Sequence, residues 1–334
     1  MKLKAIALGV LAAATVGASA QNLTGAGATF PYPIYSKWFS EYSSQNSNVH
    51  INYQSIGSGG GIRQVTEGTV DFGASDGPMS DEQMANAKVK VQHIPTVLGA
   101  VVPVYNIPGT NHELNFSGDV IADIYLGKIT SWNDPRIAKD NPGASLPNQP
   151  ILPVYRSDGS GTTYIFTDFL SKVNPDWNSR VGKSTSVKWP TGIGQKGNEG
   201  VAGMVRQTPY AFGYVELIYA LQNKMSYGSV KNAAGKFVKA STDGVTAAAA
   251  AAAPKMPADY RVSITNAPGA TSYPISSFTW LLIPTHGDAA KTQALKGFLT
   301  WMLDHGQSEA NLLSYAPLPK QVQDMVRKTV SQMK

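Results

Sequence analysis

The sequence predicts an α/β fold divided into two domains. Short apolar or alternating segments, typical of strands, take turns with segments whose apolar residues recur at helical spacing, and this pattern favours helices layered on a sheet. Removal of an expected 20-residue export signal from 334 residues leaves 314, which is more than one ordinary hydrophobic core holds. No repeat of about 20–50 residues is visible, which argues against a solenoid.

The N-terminus has the pattern of a secretory signal peptide. Lys2 and Lys4 precede an apolar run over residues 5–16, and the small residues at 18–20 supply a cleavage site. The run is too short for a transmembrane helix, and a buried N-terminal helix is the alternative. We expect cleavage after Ala20 and release into the periplasm. Because no other run of 18 apolar residues follows, we expect no stable membrane insertion of the mature chain.

Composition narrows the function classes. The chain has no cysteine, which excludes disulfides, thiolate nucleophiles and a lipid anchor at the cleavage site. The formal net charge of +6 loses two lysines with the signal peptide, leaving about +4, and no dense Lys/Arg block indicates nucleic acid. The five histidines lack the spacing of a metal site, so we expect neither a metal nor another cofactor. We expect a monomer.

Five segments are predicted to be strands. Residues 49–53 alternate with period two, and residues 70–74 form a second short strand. Residues 97–105, 151–155 and 278–283 are apolar on both faces, as buried central strands are.

Four helices are predicted from apolar stripes. The first has Thr29 as a candidate N-cap and Pro31 in its first turn, and its stripe consists of Phe30, Ile34, Trp38 and Tyr42. The other three stripes lie over residues 165–173, 295–303 and 322–330. We expect the third helix to stop at Gly306. The alanine run at residues 247–253 indicates a surface helix or a linker.

Three clusters rich in Gly, Ser and Thr directly precede predicted helices. They occupy residues 25–29, 57–61 and 158–163. A helix N-terminus leaves unpaired NH donors and a partial positive charge, glycines allow close approach, and hydroxyls add donors. One such cluster is more often an ordinary turn, but three of one kind predict convergence on a single small oxyanion.

Two carboxylates and one arginine refine this expectation. Arg156 directly precedes the third cluster, and its planar fork suits a tetrahedral oxyanion. Asp158 could hold that fork in place, although such a pair is also an ordinary salt bridge. Asp76, at a strand end, is costly beside an anion unless the anion brings a proton, as phosphate does near neutrality and sulfate does not.

Three motifs typical of other activities are set aside. Residues 73–77 match the hydrolase elbow, but Pro78 follows at once and no supporting acid and histidine pattern is visible. Residues 192–197 match a dinucleotide fingerprint without an apolar strand before it, which indicates a loop. Residues 182–184 resemble part of a nucleotide P-loop that lacks its first glycine. An exported serine hydrolase therefore stays a distant alternative.

At these motifs the chain resembles the phosphate-binding proteins of high-affinity bacterial phosphate ABC transporters. The matching stretches are LTGAGATFP at 23–31, VDFGASD at 70–76, RSDGSGT at 156–162, and residues 53–61, 123–129, 186–190 and 212–216. The resemblance spans essentially the whole mature chain. It implies a two-lobed type II periplasmic binding protein fold, with a sheet flanked by helices in each lobe, strands 97–105 and 278–283 crossing between the lobes, and the ligand cleft between them.

The resemblance also implies a division of the chain and a set of ligands. Lobe I would comprise residues 21–96 and 275–334, and lobe II residues 97–274. The implied phosphate contacts are Thr29, Phe30 through its NH, Ser58 and Asp76 from lobe I, and Arg156, Ser160, Gly161 and Thr162 from lobe II. Asp158 would orient Arg156, without any metal.

The implied function is extracytoplasmic phosphate binding and delivery to an inner-membrane phosphate ABC permease, without enzymatic activity. Binding of sulfate, molybdate or arsenate, or phosphate sensing without transport, are the alternatives. Gly59 and Gly77 depart from the family's serine and alanine, and we expect loosened backbone there at most. The resemblance also implies that residues 192–200 form a surface loop.

Overall fold

The computed structural model describes residues 20–110 and 113–333. The predicted signal peptide therefore lies outside the described residues, except for Ala20. Among the described residues, no helix is both long and apolar enough to cross a membrane.

Strands and helices alternate along the chain, which confirms the predicted α/β class. The strands are β1 Gln21–Gly27, β2 Val49–Ser55, β3 Phe72–Ser75, β4 Val91–Tyr105, β5 Asn115–Phe116, β6 Leu152–Arg156, β7 Ile193–Gln195, β8 Ala211–Glu216, β9 Ser226–Tyr227, β10 Ser229–Lys231, β11 Phe237–Val238 and β12 Ser276–Pro284. The helices are α1 Tyr32–Gln45, α2 Ser58–Glu67, α3 Asp81–Asn86, α4 Gly118–Tyr125, α5 Pro135–Asp140, α6 Gly161–Val173, α7 Pro175–Arg180, α8 Gly197–Gln207, α9 Leu217–Gln222, α10 Thr242–Ala252, α11 Ala289–Trp301, α12 Gln307–Glu309 and α13 Lys320–Ser331.

The central sheet runs through both lobes. Its strand order is β2-β1-β3-β12-β4-β8-β6-β7, with β9 also paired to β4. Strands β1, β2 and β3 are mutually parallel in lobe I, and β6, β7 and β8 are parallel in lobe II. The 15-residue strand β4 pairs with β12 along residues 91–100 and with β8 along residues 101–105, so it belongs to both lobes.

An aromatic core holds lobe I together. Helix α1 buries Ile34, Trp38 and Tyr42 as the predicted stripe requires. Phe39 lies among three further rings, with centroid distances of 5.8 Å to Tyr53, 5.7 Å to Phe72 and 5.0 Å to Phe298. These contacts fix α1 between the sheet and α11.

A second aromatic core lies in lobe II and reaches the cleft. The Phe166 and Tyr214 rings stack with centroids 4.1 Å apart. The Tyr214 hydroxyl lies 2.6 Å from the Thr163 hydroxyl and accepts a 3.2 Å hydrogen bond from the Arg156 amide. Packing in this core therefore fixes the strand end that carries Arg156.

Two local predictions about helix ends are wrong. Helix α1 begins at Tyr32 with Pro31 at the N-cap position and no side-chain cap, because the Thr29 hydroxyl is engaged across the cleft. Gly306 does not end the helix after α11, since the chain continues through a π-turn over Met302–Gly306 into α12. A Cβ at Gly306 would lie 2.9 Å from the Trp38 ring, so this glycine permits close packing instead.

The alanine run is a helix and not a linker. Ser241 caps α10 by accepting a hydrogen bond from the Gly244 amide, and Pro254 follows in a short 3-10 turn. Ala248 and Ala249 are buried, so the helix covers the core with one face.

The lobe boundaries near residues 96 and 274 stay a prediction. The segment after α10 touches both lobes in turn. The Tyr260 carbonyl accepts from the Trp280 indole at 3.0 Å, whereas Thr265 hydrogen-bonds to Asp168 in α6 at 2.5 Å.

Candidate anion-binding site

The three predicted clusters meet in the cleft between the lobes. The Gly59 amide donates a 2.9 Å hydrogen bond across the cleft to the Gly159 carbonyl. A Cβ built on Gly161 would lie only 2.4 Å from the Ser58 hydroxyl oxygen and 2.5 Å from Asp76 Oδ2. Helices α2 and α6 thus begin close together at the cleft, where the first-turn amides of a helix have no partner within the helix.

Local backbone geometry makes this approach possible. Gly57 precedes α2 with φ of 91°, a left-handed conformation that favours glycine, and its position offers no side-chain cap. A Cβ there would lie 2.4 Å from Asp158 Oδ2. Ser160 caps α6 by accepting a 3.0 Å hydrogen bond from the Thr163 amide, so its hydroxyl proton faces elsewhere.

The two glycines that depart from the family pattern lie at this contact between lobes. A Cβ at Gly59 would lie 3.0 Å from the Gly159 Cα, and one at Gly77 would lie 2.8 Å from the Tyr164 ring. The missing side chains therefore allow the two lobes to approach closely. This effect differs from the loosened backbone that was expected from the sequence.

Arg156 and Asp158 form a buried ion pair at the end of β6. Arg156 Nε donates to Asp158 Oδ1 at 2.7 Å, and Nη2 donates to Oδ2 at 2.5 Å. The Arg156 side chain is 1% exposed. Burial alone raises the pKa of Asp158, but the Arg156 guanidinium outweighs it and the pKa is lowered. Asp158 also accepts from the Gly197 amide at 3.1 Å, so the carboxylate that holds the guanidinium is itself held in place, and Arg156 Nη1 donates to the Thr162 hydroxyl at 3.3 Å.

Asp76 is a buried carboxyl opposite that arginine. Its Oδ1 accepts a 2.8 Å hydrogen bond from the Thr279 hydroxyl, and its amide donates to the Ser58 hydroxyl at 3.2 Å. Burial raises the pKa of Asp76 to about 7, although Thr279, Arg156 and Ser58 each oppose that shift. The carboxylate is therefore costly as an isolated charge and suited to accept a proton or a hydrogen bond from a guest.

The remaining predicted site residues also line the cleft or support it. Thr29 is buried, and Phe30 is fully buried, with its carbonyl accepting a 2.6 Å hydrogen bond from the Tyr315 hydroxyl. Thr162 is buried and accepts from Arg156 Nη1 at 3.3 Å. The structure thus gathers all nine residues predicted from the sequence at one location, whereas their role as ligands stays a prediction.

Asn198 is a site residue that sequence reasoning missed. The predicted surface loop at residues 192–200 is wrong, because β7 pairs with β6 in parallel and α8 begins at Gly197. Asn198 is fully buried and its side-chain amide donates to Thr29 at 2.7 Å and to Thr162 at 3.1 Å. The spacing of the glycines in residues 192–197 was the sequence signal that could have pointed to this segment.

The other motifs set aside have structural roles. The Ser75 hydroxyl donates to the Gly77 carbonyl at 2.5 Å, which engages it within its own turn. Lys183 binds the buried Asp168 carboxylate after the end of α7, not at a helix N-terminus. In residues 20–110 and 113–333, no group of three or more His, Asp or Glu side chains could hold a metal ion.

His93 supports the loop that carries Asp76. Its Nε2 accepts a 3.1 Å hydrogen bond from the Met79 amide, and the side chain is buried. Burial, reinforced by the positive charge of Arg261, lowers the pKa of His93 to about 4. A protonated imidazole could not accept from Met79, so the folded state requires neutral His93.

We expect the stabilisation contributed by His93 to be lost as pH falls from about 6.5 to about 4, while Asp76, whose pKa is raised to about 7, acts in the opposite direction, so the effect is measured as a difference between the parent and a His93 variant. In this range His93 is protonated in the unfolded chain but stays neutral in the folded state. The stabilisation that neutral His93 contributes above pH 6.5 is therefore lost by about pH 4. The loss should be on the order of 1 kcal/mol per pH unit. Urea unfolding of the parent and of His93→Gln, which keeps an acceptor but does not titrate, would measure it. A parent-to-variant difference independent of pH would contradict this role.

Comparisons with known proteins agree with this architecture. A family model described as the PBP superfamily domain matches residues 12–305. The structure of a high affinity periplasmic phosphate-binding protein, PfluDING, bound with phosphate superposes with a TM-score of 0.73 at 22% sequence identity, covering 92% of this chain and 93% of that chain. This likeness supports the two-lobed fold. Fold and matched model together define a member of the PBP superfamily, whose two lobes enclose a cleft.

Sequence similarity narrows the assignment further. The phosphate-binding protein PstS of Pasteurella multocida is 48% identical over 305 residues, which cover 91% of this chain and 88% of that protein. The PstS protein of Haemophilus influenzae is 46% identical over 312 residues, with coverage of 93% and 92%. The chain belongs to the family of phosphate-binding proteins named PstS.

Proposed function

We propose that this protein binds one inorganic phosphate ion between its lobes and delivers it to a phosphate ABC permease. The observation that carries the proposal is the convergence of Arg156 and two helix N-termini on a space that also contains the buried carboxyl of Asp76. Donors for an oxyanion therefore surround one acceptor for its proton. Relatives at 48% and 46% identity bear the name phosphate-binding protein, which supports the same ligand.

The proposed contacts come from both lobes. Lobe I supplies Thr29, the Phe30 amide, Ser58 and Asp76. Lobe II supplies Arg156, Ser160, the Gly161 amide and Thr162, and Asp158 orients Arg156. A ligand held this way gains its contacts only when the lobes are together, so it shifts the population toward the closed form. The closed form is the species that we propose the permease recognises.

We also propose that the chain is exported and works as a monomer in the periplasm. The signal-like N-terminus, for which we propose cleavage after Ala20, and the absence of any cysteine for a lipid anchor support release into the periplasm. The proposal requires no catalytic step, since binding and release suffice for transport.

Selectivity against sulfate should depend on Asp76. A titration of ligand-free protein by calorimetry is expected to give strong phosphate binding and weak sulfate binding, because sulfate has no proton to donate to the carboxylate. Asp76→Asn replaces that acceptor with an amide that can donate to sulfate. We expect the preference for phosphate over sulfate to narrow by at least about 100-fold.

A surface variant is the matched control for this titration. Asp324→Asn removes one exposed carboxylate on α13 and should leave both affinities unchanged. An Asp76→Asn protein that rejects sulfate as well as the parent does would remove Asp76 from this role. A parent that binds sulfate as tightly as phosphate would overturn the proposed function itself.

A further inference from the structure

Asn198 joins the two lobes at the centre of the cleft. It is the second residue of α8 and is fully buried. Its side-chain Nδ2 donates to Thr29 Oγ1 at 2.7 Å and to Thr162 Oγ1 at 3.1 Å. Its backbone NH also donates to Thr29 Oγ1, at 3.3 Å. One side chain therefore contacts a proposed ligand residue from each lobe.

The orientation of the Asn198 side chain is fixed by the end of strand β8. Its Oδ1 accepts a 2.9 Å hydrogen bond from the Glu216 amide, at the end of β8 where that strand pairs with β4. A backbone NH can only donate, so the oxygen must face Glu216 and the NH₂ group must face the two threonines. The amide cannot flip without breaking this contact.

Hydrogen-bond accounting then fixes the polarity of both threonine hydroxyls. A hydroxyl has two lone pairs and one proton. Thr29 Oγ1 accepts from two NH groups of Asn198, and Thr162 Oγ1 accepts from Asn198 Nδ2 and from Arg156 Nη1 at 3.3 Å. All of these partners are donors without acceptor capacity. Each hydroxyl proton is consequently left for an acceptor on the ligand.

We propose that Asn198 is a positioning residue that makes Thr29 and Thr162 obligate hydrogen-bond donors and ties the two lobes together around a deprotonated oxyanion oxygen. This inference rests on the proposed phosphate function. The proposal assigns selectivity to two groups with opposite requirements. Asp76 accepts a hydrogen bond from a protonated ligand oxygen, and the two threonine hydroxyls donate to deprotonated ligand oxygens. An oxyanion with one proton satisfies both.

A double-mutant cycle tests the proposal. The four proteins are the parent, Asn198→Ala, Thr29→Val and the double variant, each titrated with inorganic phosphate by calorimetry. We expect Asn198→Ala to weaken binding about tenfold in the parent. In the Thr29→Val background the same change should cost less, because one of the two hydroxyls through which Asn198 acts is already gone.

Additive effects of the two substitutions would overturn the inference. Thermal unfolding without ligand provides the structural control, since a role confined to folding would lower stability and leave the coupling at zero. If Asn198→Ala does not fold, Asn198→Asp replaces it, because the carboxylate still accepts from Glu216 but presents an acceptor to the threonines. We expect that variant to bind phosphate more than about tenfold more weakly than the parent, and an affinity equal to the parent's would contradict the assigned polarity.

The outcome is separable from a failure of the proposed function. A parent that does not bind phosphate contradicts the function, whichever way the variants behave. A parent that binds phosphate while the cycle is additive contradicts the role of Asn198 alone. A surface control is Asn178→Ala, at an exposed position of α7, which should change neither affinity nor coupling.

Discussion

Gly161→Ala is expected to reduce phosphate affinity by about 100-fold while leaving the fold intact. The added Cβ would lie 2.5 Å from Asp76 Oδ2 and 2.6 Å from Asp76 Cβ, closer than carbon atoms approach one another. The Asp76 Cβ is bonded directly to the backbone that follows β3 and cannot move away without that backbone, so the clash opposes closure of the lobes. Overpacking of this kind costs about 1–3 kcal/mol or more, and each 1.4 kcal/mol is tenfold in affinity.

Calorimetry on purified protein would measure the loss, with thermal unfolding as the test of folding. The Gly161 amide is retained in the variant, so the effect reports the close approach and not a missing donor. Gly203→Ala is the matched control, because a Cβ there has no atom within 4 Å and the residue also lies in a helix. Parent-like phosphate binding by Gly161→Ala would show that the lobes do not meet at this position when phosphate is bound.

Arg156→Ala is expected to have an effect of similar or greater size. The change removes a buried cation that would make charge-assisted bonds to phosphate, and truncation of a buried charged partner costs about 2–5 kcal/mol. The corresponding loss of affinity is roughly 30- to 5,000-fold. Arg156→Lys keeps the charge but loses the planar fork, so its affinity should lie between those of the parent and the alanine variant.

The chain contains a matched control for this substitution. Arg136 makes the same two-residue fork, with Nε 2.9 Å from Asp134 Oδ1 and Nη2 2.9 Å from Asp134 Oδ2, on the exposed surface of lobe II. Arg136→Ala should leave phosphate binding unchanged. Equal affinities for Arg156→Ala and the parent would exclude Arg156 as a ligand. The alanine variant should also be less stable without ligand, since Asp158 stays buried without its partner.

Much of the fold was accessible from patterns with a direct physical cause. Apolar strands, helical stripes and glycine-rich turns each reflect burial or backbone freedom. They predicted the strands β2, β3, β4, β6 and β12 and the helices α1, α6, α11 and α13. Residues in the three clusters could be grouped because helix N-termini share one chemistry. Asp76 and Arg156 were singled out by charge at strand ends. That these groups face one cleft depends on the sheet order, which local patterns do not contain.

The failures have a common physical origin. β7 is only three residues long and partly exposed, so it lacks the apolar run by which strands are recognised. Asn198, which follows this strand, was therefore not recognised as a site residue. Thr29 has the chemistry of a helix cap, but a partner 169 residues away engages its hydroxyl. Gly306 has the chemistry of a helix end, but its missing side chain makes room for Trp38. At Thr29 and Gly306 a distant partner overrides a local preference, whereas at β7 the local pattern itself is too short and too polar to indicate a strand.

The position of β12 in the sheet bears on how the chain reaches its compartment. This strand separates β3 from β4, yet it is built from residues 276–284 of a 334-residue chain. Lobe I cannot be assembled from the earlier residues alone, and joining segments so distant in sequence is entropically costly and slow. Until β12 has been synthesised, a nascent chain therefore lacks the strand that completes the sheet of lobe I. Late completion of this kind would leave the chain able to pass through a secretion pore, as the proposed export requires, until about its last sixth has been made.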